Sequence, residues 1–163
     1  MAQTAGYVTL LIGANDLCTS SPTTMTSTST FASQVNAALA TLHQGLPHSE
    51  IFISSIPNIY QLWSVLHTNT VARYVWSLAH ICQSMLASTN TEAQRQQVVQ
   101  RELAFNAILA QACAQYTQCR WDGSALYNYS FSASQVSSLD FFHPNLSGQA
   151  ALATLTWGAS WWG

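Results

Sequence analysis

The sequence predicts an α/β domain built on a parallel sheet. Two short apolar, β-branched runs, Tyr7 to Ile12 and Ile51 to Ile56, stop at Gly13 and Pro57. Between them Phe31, Val35, Leu39 and Leu42 recur at helical spacing. Strand, helix, strand with short connections is a βαβ unit, whose strands run parallel. At 163 residues there is room for a single domain with a real core.

Each element follows from its own signals. Tyr7 to Ile12 reads as a buried strand. Cys18 to Thr30 is rich in Ser and Thr, contains Pro22, and reads as loop. The helix from about Phe31 ends at Gly45 and Pro47. Ile51 to Ile56 is the second strand. Ile59 to Leu86 reads as mostly helical and aromatic, with Trp63, Tyr74 and Trp76, and Ala87 to Thr91 as a polar break. The clearest helix runs from Glu92 to Tyr116, where Val98, Glu102, Phe105, Leu109 and Ala112 trace one face. Cys119-Arg120-Trp121 leads into a third, short strand. Gly123 to Val136 is irregular, and Ser147 or Gly148 opens a last helix through Leu155. Trp157, Trp161 and Trp162 in the tail are expected to pack on the body.

Composition excludes several function classes. Charged residues make up 6% of the chain, against about 25% in an ordinary domain. The net charge of -2 provides no basic field, so a nucleic-acid partner is not expected. No apolar run is long enough for a membrane span. Met1 to Leu11 has no basic segment or cleavage site, so no signal peptide is expected. The four cysteines allow three pairings. The closeness of Cys113 and Cys119 favours joining them, which leaves Cys18 with Cys82. Their spacings do not match a zinc site, and no metal or cofactor is expected.

Two blocks carry chemistry. In Asp140-Phe141-Phe142-His143-Pro144, an Asp three residues before a His can fix one ring nitrogen, leaving the other to take a proton. In Gly13-Ala14-Asn15-Asp16, Gly13 permits a tight exit from the strand. The Asn15 amide can donate to a developing oxyanion there. Asp16 is expected to hold the loop by accepting backbone N–H bonds.

Together these blocks resemble the SGNH hydrolases, the GDSL-type lipases and esterases. Gly13 to Asp16 matches that family's Gly-x-Asn-Asp block, and Asp140 to His143 matches its Asp-x-x-His block. The resemblance covers essentially the whole chain. It implies a three-layer, flavodoxin-like α/β/α fold with no cofactor. It also implies a small carboxylic ester as substrate, with Asn15 as oxyanion donor, His143 as general base and Asp140 as its orienter. The cysteine positions are similar to those of secreted bacterial members, which implies an extracytoplasmic parent protein.

One departure stands beside this match. The family's nucleophile block, Gly-Asp-Ser, precedes the Gly-x-Asn-Asp block, yet only Met1 to Gly6 precede the strand here. The expectation is an N-terminally truncated member lacking its first two strands, on the order of 60 residues. That would bare the edge of Tyr7 to Ile12, so a homo-oligomer covering this edge is expected.

Substitutes for the serine are few. Ser54 and Ser55 end the second strand, and Ser20 and Ser21 follow Asn15. His143 could instead activate water directly. Asp16, Asp122 and Asp140 show no pairing suited to glycoside cleavage. His43, His48, His67 and His80 show no ligand spacing. Asn128 and Asn145 fit a glycosylation pattern that a bacterial protein would not use. The sequence thus frames an esterase-like hydrolase, against an inert fragment or a module that binds without turnover.

Overall fold

The computed structural model describes residues 5–163. The stretch in which no signal peptide is expected therefore lies partly outside the described residues. Three strands form one parallel sheet in the order β1 (Tyr7–Leu10), β2 (Glu50–Ile53), β3 (Cys119–Trp121). Val8 pairs with Ile51 and Ile51 with Cys119, which sets the register across the sheet. Alternation splits its two faces. Val8, Leu10, Ile51 and Ile53 face the main core, whereas Thr9, Phe52 and Ser54 face a groove beneath the C-terminal helix.

Helices lie against both faces. The short α1 (Ala14–Leu17) follows β1. α2 (Thr28–Gly45) begins where the Ser27 side chain accepts from the Thr30 N–H, a turn earlier than the apolar spacing alone suggests. The aromatic stretch divides into α3 (Ile59–Leu66), α4 (Thr70–Leu78) and α5 (Gln83–Leu86), the first two capped by Asn58 and Asn69. α6 (Glu92–Cys113) is opened by a Thr91–Gln94 capping box. Its expected face is buried, and Phe105 stacks on Phe31 of α2 with ring centroids 3.9 Å apart. α7 (Ala125–Asn128) and α8 (Leu146–Ala159) complete the order.

The disulfides are Cys18–Cys82 and Cys113–Cys119. The first ties α1 to the start of α5, and the second closes the turn from α6 into β3. The tail differs in part from expectation. The Trp161 indole donates to the Ile51 carbonyl, but Trp157 stays exposed and Trp162 lies on Tyr7 at the surface. No described helix is long and apolar enough to cross a membrane.

Candidate active site

At the end of β1 the chain must turn sharply under the core. Gly13 sits at φ 105, a conformation that L side chains rarely adopt. A Cβ there would lie 2.6 Å from the Ile56 side chain and 3.0 Å from Phe31. Glycine is thus required twice over, for its φ and for its lack of bulk. The turn delivers Asn15 into α1 with its side chain exposed. The residues on either side of the α1 terminus are held firmly. The Thr26 hydroxyl donates to the Asp16 carboxylate at 2.7 Å, and the Ser84 hydroxyl donates to the Leu17 carbonyl at 2.6 Å. The Asp16 carboxylate takes this hydroxyl where backbone N–H groups were expected.

The second block is a loop closed on itself. A Val136–Pro144 bridge joins its base, and the Ser137 N–H donates to the His143 carbonyl. At its apex Phe141 takes φ 54, a strained conformation for a bulky residue. The buried Trp76 indole holds it there by donating to the Phe141 carbonyl at 2.9 Å. One Asp140 oxygen accepts the Phe142 and His143 amides, and the other meets His143 Nδ1 at 2.6 Å. Burial alone would push the Asp140 carboxyl up. The His143 ring and the two amides outweigh it and hold the group below its ordinary value. With Nδ1 engaged, Nε2 is the nitrogen left to accept a proton. The His143 side chain is 72% exposed, so substrate can reach it.

Asn15 and His143 line the same cleft of about 210 Å3. Its walls are chiefly apolar, with Leu62 and Val65 from α3 and Phe131, Phe142 and Leu152 from the C-terminal part of the chain. Two blocks far apart in sequence therefore open onto one apolar hollow, with an amide donor and a basic nitrogen on its wall.

A model of the GDSL-like Lipase/Acylhydrolase family matches residues 2–156. The chain belongs to the GDSL-like lipase/acylhydrolase family. No curated protein matches it.

Several residues expected near the chemistry of this GDSL-family chain lie elsewhere. Ser55 is buried and its hydroxyl is fully used, donating to Asp122 at 2.7 Å and accepting from the Tyr127 N–H at 2.9 Å. It ties the end of β2 to the segment after β3, so the expectation of Ser55 as a substitute nucleophile is corrected. Ser54 is corrected for a different reason: it lines the other groove, with Tyr7, Thr9 and Trp157. Ser20 and Ser21 bond to the Thr23 and Thr24 hydroxyls of their own turn. Asp16 and Asp122 are each engaged in separate structural bonds. Asn145 caps α8 and donates to the Ser134 and Val136 carbonyls, so its amide is committed to the fold. Among the described residues no cluster could hold a metal ion.

Two residues that matter carry no site signal in the sequence. Trp76 reads only as an aromatic in a helical stretch, because its bond to Phe141 spans 65 positions. Glu102 reads as one polar position on an apolar face. It is fully buried, and a carboxyl oxygen accepts from the Ile59 N–H at the start of α3, one wall of the cleft. Burial raises its pKa well above the ordinary value, against the opposing pull of that bond.

Proposed function

We propose that this chain is an esterase-like hydrolase of small or activated carboxylic esters. The observation that carries the reading is the single cleft lined by Asn15 and by the His143 of a hydrogen-bonded His–Asp pair. In this mechanism the ester carbonyl oxygen lies against the Asn15 amide. His143 Nε2 takes a proton from a water molecule as the water oxygen attacks the carbonyl carbon. Asp140 orients the ring and stabilises the imidazolium. The tetrahedral oxyanion, held by Asn15, then collapses. The alkoxide leaves with the proton returned by His143, giving acid and alcohol. Water serves as the nucleophile in this reading, since Ser54 lines the other groove and the Ser55 hydroxyl is bound to Asp122. The cleft is smaller than the roughly 300–1,000 Å3 of drug-sized ligand sites, which supports a short acyl group.

The fit of this chemistry to an extracytoplasmic protein rests on the two disulfides and the family membership. We also propose that the edge of β1 takes a second copy of the chain. β1 lies at the edge of the sheet, and no charge or proline guards it from Tyr7 to Ile12.

The lack of a serine on His143 equally suits a module that binds an ester without turning it over. Hydrolysis of a p-nitrophenyl ester series beside His143→Ala separates the two. General-base catalysis predicts that kcat/KM falls about 10²–10⁴-fold in the variant. Saturable binding with equal background rates in both proteins would favour the binding module.

A further inference from the structure

The cleft that holds Asn15 and His143 shares a wall with the groove beneath α8. Leu152 is the one described residue that lines both hollows, of about 210 Å3 and 400 Å3. From α8 it alone reaches the cleft, while Gln149, Ala153, Thr156 and Trp157 line only the groove. Its half-buried side chain therefore stands between the two.

This partition is mounted on a fixed helix. Gly148 lies about one turn before Leu152 on the same face of α8. A Cβ at Gly148 would lie 2.7 Å from the Pro144 Cβ and would collide with the Gln135 carbonyl. Glycine thus lets α8 press onto Pro144 and Gln135, two further residues of the cleft wall. Just past the other end of α8, the Trp161 indole donates to the Ile51 carbonyl at 3.2 Å and ties the helix to β2.

A hydrocarbon chain gains about fourfold in binding for each methylene it buries, and nothing for one left in water. On the cleft side of Leu152, Leu62, Val65 and Phe131 offer such burial. On the far side, Phe52, Leu126 and Trp157 of the groove offer more. We propose that Leu152 sets the acyl length of the substrate, by stopping the chain at the end of the cleft and closing the groove to it. This role rests on the ester-hydrolase reading of the cleft. The partition itself is tested by binding alone.

The test is kcat/KM on p-nitrophenyl esters from acetate to decanoate for the parent, Leu152→Ala and Leu152→Phe, with circular dichroism to check each fold. The parent should favour short chains. In Leu152→Ala the preferred length should rise, and the ratio of octanoate to butanoate turnover should increase at least tenfold, since about two newly buried methylenes suffice for that. Leu152→Phe should move the preference to shorter chains, and decides the matter alone if Leu152→Ala does not fold. The free alkanoates of the same lengths, followed through the NMR signals of the His143 ring, read binding without turnover. A length shift in binding with no turnover by the parent would sink the hydrolase reading and leave the partition standing. A length preference equal in parent and variants, a uniform change at every length, or no length dependence in either assay would overturn the proposal.

Discussion

Glu102 is the residue whose chemistry departs furthest from its ordinary state. It sits among Val98, Phe105 and Leu109 on the buried face of α6, and burial keeps its carboxyl protonated above the usual range. The unfolded chain releases that proton at about pH 4.3. Between that value and the raised native one, the folded state binds more protons than the unfolded state. Stability should therefore fall as pH rises through this window. Glu102→Gln keeps an oxygen for the Ile59 N–H and cannot ionise. Thermal melts from about pH 5 to pH 8 should show a flatter descent in Tm for the variant than for the parent. Parallel curves would mean that Glu102 is already ionised in the fold. Asp140 has the opposite sign. Its native pKa is lowered, so its pairing with His143 is present above the ordinary carboxylate value and is lost as pH falls through the native one.

The elements are held less by their own propensities than by what crosses between them. α1 and α5 are too short to stand alone. The Cys18–Cys82 bridge and the Ser84 hydroxyl join them, and so fix the turn that carries Asn15. The two disulfides should differ in weight, because cross-linking constrains the unfolded chain more when the closed loop is longer. Cys18 and Cys82 are 64 positions apart, and Cys113 and Cys119 are 6 apart. Loop entropy alone gives about 4 kcal/mol for the first and about 2 kcal/mol for the second. Urea unfolding of Cys18→Ser/Cys82→Ser and Cys113→Ser/Cys119→Ser should reproduce that order. The reverse order would place the weight in native packing instead. At the element level, helix ends are less legible than helix faces. The face of α6 is the one its apolar period predicts, while α8 starts earlier than expected, at Leu146. Cap chemistry sets that start, since Asn145 accepts the Gly148 N–H.

At the scale of the molecule, a three-stranded parallel sheet ends in β1, whose outer edge pairs with no other described strand. The proposed second copy on that edge predicts a mass of at least two chains in light scattering of the purified protein. A monomer at low concentration would sink that assignment.

The sequence by itself determined the strands, the main helix faces and the two blocks that carry Asn15, Asp140 and His143. These are properties of short stretches, written in periodicity and spacing within a few turns of chain. Only the tertiary structure decided that both blocks open onto one cleft, that Trp76 pins the loop at Phe141, and that Ser55 is bound to Asp122. It also decided that Glu102 is a buried acid rather than a polar interruption. Such contacts join residues tens of positions apart. A hydroxyl reads the same in sequence whether its proton faces a substrate or a buried carboxylate, and only packing removes the water that would make the two alike.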